Sequence, residues 1–275
     1  MSMENIFSLI QTRRSVRTYD ASPLKPEHRE AIAAFMAELP TPWGITPEFR
    51  LLEAKGHGLK SPVVTGESLY FAAKLQREPH AEEALGYAFE KLVLYAWSLG
   101  IGTVWLGGTL NREAFQKAMD LGTGEFMPCA SPLGYPAKKP SLRETLMRKG
   151  VGADTRLPFG ELFFSRDFGH PLSPEAAGAL ARPLEAVRLA PSAVNKQPWR
   201  SVMLDGTVHF YLKRTKGLAG DASTGDLQKI DLGIALCHFA LMAEEDGLKP
   251  SFILDDPGLD TETEMEYIAS YRVAL

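Results

Sequence analysis

The chain has 275 residues, 45% of them hydrophobic, with a formal net charge of −4 and a pI near 5.9. That suffices for a large buried core, as one big domain or two fused units, and leaves no basic excess to favour nucleic acid or an anionic membrane. The two cysteines, Cys129 and Cys237, are far apart, with no CxxC and no Cys/His metal spacing, so no disulfide framework or metal site is expected and the expected compartment is the reducing cytoplasm.

In chain order, MSMENIFSLIQTRRSVR reads as a short amphipathic helix near 3–11 running into a basic turn. It lacks a long apolar h-region, so no signal peptide is expected. A helix near 25–38 follows, then strands near 49–54 and 67–74. Residues 92–108 are the most apolar stretch, short for a membrane span and interrupted by Gly100, Gly102, Gly107 and Gly108. They read as the end of a buried helix (80–99) and a buried strand (102–107). A helix near 111–119 and a strand near 127–133 come next. Residues 144–164, rich in Gly, Pro and charge, are expected to cross between halves of the chain. A helix near 173–188, strands near 200–204 and 207–213, a helix near 226–246 and a strand near 250–254 complete the chain. The class is α+β, with helices packed on mainly antiparallel sheets.

The chain repeats itself. SPLKPEHREAIAAF at 22–35 matches HPLSPEAAGALARP at 170–183, with Pro23-Leu24 and Pro171-Leu172 offset by 148. Each looks like a helix start with Pro in the first turn. LGYAFEKLVLYAWSLGIGTVWL from Leu85 matches LGIALCHFALMAEEDGLKPSFI from Leu232, offset by 147. In both, an apolar helix ends at a glycine (Gly100, Gly247) and a short β-rich run follows. Nearly constant offsets point to duplication, with a first half at 1–150 and a second at 151–275.

Four segments carry candidate chemistry. Arg13, Arg14, Ser15, Val16 and Arg17 can hold a phosphate through charge-assisted, bidentate hydrogen bonds; alternation would put Arg13, Ser15 and Arg17 on one face. APSAVNKQPW at 190–199 offers compact donors and acceptors in a loop stiffened by Pro191 and Pro198. GIGTVWLGG at 100–108 is not a dinucleotide fingerprint, since its glycines follow a helix. Gly107 and Gly108 would let backbone N–H groups approach a planar ring. GYPAKKP at 134–140, with Arg143, adds positive charge after a turn. Alone, each reads equally well as an ordinary turn. Among aromatic residues, Trp43, Trp97, Trp105 and Trp199 read as core, while Tyr70, Phe71 and Tyr211 are open candidates for a pocket wall. His238 lies on an apolar helix and reads as a satisfied core residue.

Together RRSVR, APSAVNKQPW, GIGTVWLGG and LGYPAKKP resemble the FMN-dependent nitroreductase family. That resemblance implies an FMN-dependent α+β fold, normally a homodimer with the flavin at the subunit interface. It implies that Arg13, Arg14, Ser15 and Arg17, helped by Lys139 or Arg143, bind the phosphate and ribityl end. Pro191, Ser192, Asn195 and Gln197 would cover the flavin from the other half. Backbone N–H groups around Leu106, Gly107 and Gly108 would face the ring. The order departs from the usual one: where the covering loop should follow the first arm, the chain has Pro40 to Pro47 without the Ser and Asn, and the loop occurs in the second repeat. Phe163 falls where Ser15 would repeat, and Ile45 roughly where Asn195 would. This is similar to a branch of the family in which a dimer is fused into one chain and keeps one site.

The resemblance further implies hydride transfer from NADH or NADPH through the flavin to a small flat acceptor such as a nitroaromatic or quinone, by ping-pong kinetics and without a side-chain acid or base. A flavin-binding sensor or store needs the same arm and stays open as the alternative. A chain that contains its own pseudo-dimer has less need of a partner, so a monomer is expected.

Overall fold

A computed structural model describes residues 3–217, 224–261 and 264–274. Its centre is a pair of helices, α4 (Ala81–Ser98) and α10 (Leu227–Glu245), each buried over nearly its whole circumference. They are apolar all round because each is covered on every side. Where they cross, their backbones touch. A Cβ added to Gly86 would fall 2.1 Å from the Ile230 carbonyl oxygen, and one added to Gly233 would fall 2.0 Å from that of Glu83. Gly86 and Gly233, like Glu83 and Ile230, are 147 positions apart, the offset of the sequence repeat. The crossing is therefore a pseudo-two-fold contact, and only glycine permits it.

A sheet flanks the pair on each side. In the first, β2 (Leu69–Gln76) pairs antiparallel with β1 (Glu48–Glu53), β3 (Glu125–Phe126) and β4 (Ala130–Leu133). Residues 102–106 extend it through bridges Gly102–Gly134 and Leu106–Ala130. The second sheet runs β5 (Phe163–Ser165), β6 (Trp199–Leu204), β7 (Thr207–Lys213), β9 (Met265–Val273), β8 (Pro250–Ile253). The order β1, β2, β4, 102–106 thus repeats as β6, β7, β9, β8. This is the α+β, internally duplicated architecture that the repeat implies.

Three expectations are corrected. The segment 102–107 makes isolated bridges and no regular strand. The helix expected at 173–188 is broken into α8 (Pro174–Ala177), a 3-10 turn and α9 (Ala181–Leu189), because Gly178 turns the chain at φ +55°. Phe163 does not take the place of Ser15. Ser15 pairs with Thr103 at one edge of the first sheet, whereas Phe163 pairs in parallel with Ser201 at the opposite kind of edge of the second. Residues 151–165 are the connection, running from α6 (Leu142–Gly150) through the short α7 (Phe159–Leu162) into β5. The remaining helices, α1 (Ile6–Thr12), α2 (Pro26–Met36), α3 (Ala54–His57) and α5 (Arg112–Ala118), lie outside the central pair. Among the described residues no helix is long and apolar enough to cross a membrane.

Candidate functional site

The basic arm leaves α1 at Arg13 and runs beside residues 102–106, where Val16 N–H donates to the Thr103 carbonyl (2.8 Å). Its arginines part company. Arg13 folds inward until its Nε is 3.8 Å from Oε1 of the fully buried Glu90. Arg14 pairs with Glu144 at 2.9 Å. That same carboxylate accepts from the Arg17 backbone N–H (3.0 Å) and the Thr18 hydroxyl (3.0 Å). Glu144 thus holds the arm shut from the α6 side and takes up Arg14. Arg13 and Arg17 keep their Nε atoms buried without a hydrogen-bond partner.

A third guanidinium faces the same region. Arg156 donates from Nη1 to the Ala153 (3.0 Å) and Thr155 (2.7 Å) carbonyls and to Asn195 Oδ1 (3.3 Å), and from Nη2 to the Leu189 carbonyl (3.1 Å). Its Nε is also buried and unpartnered. Burial, and then the nearby charges of Arg13, Arg188 and Arg148, hold Arg156 below the ordinary guanidinium range. Burial does the same to Arg17, partly offset by Glu144. An orphaned buried donor costs about 1–3 kcal/mol, more when charged. Three of them beside mutually repelling guanidiniums suit an anion with several acceptor oxygens, such as a phosphate.

The loop at 190–198 meets this cluster through Arg156. It is strained: Val194 (φ +44°), Asn195 (φ +58°) and Gln197 (φ +51°) all lie in the left-handed region, at about 1–3 kcal/mol each. Its polar residues hold that shape. Both oxygens of buried Asp231 accept from Ala193 N–H (3.0 and 3.1 Å), and Ser192 Oγ accepts from Gln197 N–H (2.8 Å). Asn195 Nδ2 donates to the carbonyls of Gly152 (2.7 Å) and Thr155 (3.1 Å). Gln197 Oε1 accepts from Leu157 N–H (2.9 Å). Asn195 and Gln197 therefore fasten the crossing segment to the loop. Burial holds the Asp231 carboxyl well above its usual range.

The glycine turn meets the same helix, α10, that anchors the loop through Asp231. Gly107 lies against the first residue of α10; a Cβ there would be 3.5 Å from the Leu227 side chain. Arg112 Nη2 donates to the Gly107 carbonyl (2.5 Å). No peptide among the described residues is cis, so the Gly108 N–H points away from Arg112. Leu106 is corrected as a donor to a ring, since its N–H is spent on the Ala130 carbonyl (2.9 Å). Lys139 and Arg143 are exposed. Tyr70, Phe71 and Tyr211 are core, each no more than 1% exposed. Pro191 is half-buried in the loop.

Glu90 ties the parts together. Trp105 Nε1 donates to its Oε2 (2.9 Å), and His238 Nε2 lies 3.0 Å from its Oε1. His238 Nδ1 meets the Ala186 carbonyl (2.9 Å). A carbonyl only accepts, so Nδ1 carries a proton.

A family model described as "Putative TM nitroreductase" matches residues 5–243. The chain belongs to this nitroreductase family. A Thermotoga maritima crystal structure likewise described as a nitroreductase aligns with 99% of this chain and 95% of its own. The TM-score is 0.64 and the identity 20%. A nitroreductase family protein from Clostridium difficile 630 covers 58% of this chain and 96% of its own, with TM-score 0.45 and 18% identity. A protein from Clostridium difficile R20291 described as an FMN-dependent nitroreductase covers 51% and 94%, with TM-score 0.39 and 19% identity. No curated protein matches.

In this nitroreductase-family chain, several site residues went unread in the sequence. Glu90 and Asp231 were visible as lone carboxylates in apolar helices, where a buried charge needs a partner. Glu144 was visible in the spacing Ser141-x-x-Glu144, which caps α6. The Ser141 hydroxyl does accept from Glu144 N–H (3.1 Å). Arg112 and Arg156 carry no local signal.

Proposed function

We propose that the chain is an FMN-dependent oxidoreductase that takes reducing equivalents from NADH or NADPH and passes them to a small flat acceptor such as a nitroaromatic or quinone. The observation that carries this reading is the set of three buried guanidinium Nε atoms without a hydrogen bond, on Arg17, Arg156 and Arg13, the last held 3.8 Å from Glu90. They would hold the phosphate. Ser15 and the loop containing Pro191, Ser192, Asn195 and Gln197 would line the ribityl and ring portion, and Gly107 and Gly108 would offer backbone to the ring edge. Lys139 and Arg143 would add long-range attraction from the surface. The fused 1–150 and 151–275 halves supply both sides of one site, so a cytoplasmic monomer suffices.

Flavin bound there would supply the two-electron chemistry. The chain's own part is to bind, orient and exclude water. Glu90 fixes Arg13, Arg112 fixes the Gly107 carbonyl, and the strained loop is held by Asp231 before any ligand arrives, which lowers the ordering cost of binding. The test is a visible absorbance spectrum of the purified protein. Flavin absorbance that NADH or NADPH bleaches and a nitroaromatic restores is expected. Flavin that no nicotinamide reduces identifies a sensor or store, and colourless protein that binds no added FMN overturns the reading.

A further inference from the structure

We propose that the counterpart of the flavin cleft, a pocket between Trp43 and Leu254, is a second binding site for a small, uncharged, planar ring bearing a carbonyl or nitro oxygen. The 147-residue offset carries Leu227 onto His80 and Gly107 onto Leu254. In the first cleft Gly107 abuts Leu227. At the other end His80 and Leu254 line one cavity of about 420 Å³, together with Trp43, Ile45 and Phe252. Setting Arg50 against Arg200 brings Trp43 to the place of Ala193 in the covering loop. The same backbone frame thus occurs twice. That the ligand is ring-shaped rests on the flavin reading of the first cleft; the cavity itself does not.

The lining decides the ligand class. It holds no Lys or Arg, and its one acid is Glu78, so a phosphate is disfavoured where the first cleft invites one. The walls are aromatic and aliphatic. Trp43 meets Phe252 edge-on, with ring centroids 4.9 Å apart, and Leu254 is left 53% exposed at the rim. Trp43 sits on a closed turn: the Thr41 hydroxyl donates to the Ile45 carbonyl (2.5 Å), and Gly44, at φ +73°, donates to the Thr41 carbonyl (3.1 Å). Such a wall is preorganised for a flat ligand. Of the lining residues' polar atoms, Trp43 Nε1 is buried without a hydrogen-bond partner, whereas His80 Nδ1 faces Glu83 Oε1 at 3.8 Å. Indole N–H can only donate, so a ligand that satisfies it brings an acceptor oxygen.

The test uses the protein as purified, titrated with 1,4-naphthoquinone without reductant, following tryptophan fluorescence and flavin absorbance together. Saturable quenching is expected. Leu254→Glu, a change at an exposed position, should raise the quinone Kd about tenfold by placing a carboxylate in the apolar rim, with flavin content unchanged. Trp43→Phe keeps the edge-on contact but removes the N–H, and should cut the quenching amplitude and weaken binding several-fold. Quenching that does not saturate, or a Kd indifferent to Leu254→Glu, overturns the proposal. So does quenching abolished only by Arg17→Met, which would put the probe in the first cleft, or self-association through this face that quinone does not displace. Flavin absorbance reports separately on the first cleft, so the two readings fail independently.

Discussion

The first turns of α10 and α4 face counterpart regions of the duplicated fold, and the two regions differ in a handful of side chains. The α10 end has Gly107, a polar strained loop and the guanidiniums of Arg13, Arg17 and Arg156, whose buried Nε atoms make no hydrogen bond. At α4 the pocket has Leu254, a Trp43 turn and no Lys or Arg in its lining. The frame that builds both is the same: Gly86 on Gly233, and matching strand orders. The difference teaches that one duplicated frame carries two unlike linings, one basic and polar, the other apolar and aromatic.

The largest predicted effect breaks the frame and so both clefts at once. Gly86→Val or Gly233→Val drives a side chain into a backbone carbonyl that cannot move aside, and should cost about 3 kcal/mol or more. A thermal melt would show it, with flavin and quinone binding lost together.

The next separates the ends by pH. Glu83, at the α4 end, is wholly buried, its side-chain oxygens without a hydrogen-bond partner and Lys229 Nζ 3.8 Å from Oε1. Burial lifts its pKa from 4.5 to about 7, moderated by Lys229 against Glu82 and Glu266. His80 also faces it, with Nδ1 3.8 Å away. Because the folded state holds this proton more tightly, Glu83's own contribution to stability is full at and below pH about 4.5 and falls as pH rises toward 7, by an amount on the order of 3 kcal/mol. Urea midpoints across that range should decline for the native chain and stay flatter for Glu83→Gln.

A smaller effect is confined to the first cleft. Arg17→Met removes a charge-assisted donor and should raise the FMN Kd about 10- to 100-fold, with the naphthoquinone Kd at the second pocket unchanged. Asn195→Ala combined with Ser192→Ala loosens the loop from residues 152–157 and should weaken FMN by about tenfold. Flavin fluorescence titration measures both. The least effect is expected at the exposed Lys139 and Arg143. Changing either to Ala should alter affinity by about 1 kcal/mol or less, and the loss should shrink in high salt.

Much of the frame was legible because it depends on local pattern. The α4 and α10 helices, β1, β2, β6, β7 and β8 fall within a few residues of their expected places. β9, whose Tyr, Ile and Val pattern suits a strand, and α6, which has a capping spacing, lie outside the expected elements. The arm, loop and glycine turn were also readable as short motifs. Their roles within the cleft were not. That Arg14 belongs to Glu144 while Arg17 keeps a free Nε depends on a helix more than 120 residues further along.

By itself, the sequence determined the duplication, the α+β class and the segments that carry candidate chemistry, since periodicity and repeat offset are properties of the chain. Only the tertiary structure decided that Arg14 pairs with Glu144 while Arg17 keeps an Nε without a hydrogen bond, that Leu106 spends its N–H on Ala130, and that Asn195 and Gln197 clasp the crossing segment. Those are matters of hydrogen-bond allocation among residues distant in sequence, and each donor is assigned only when all its competitors are in place.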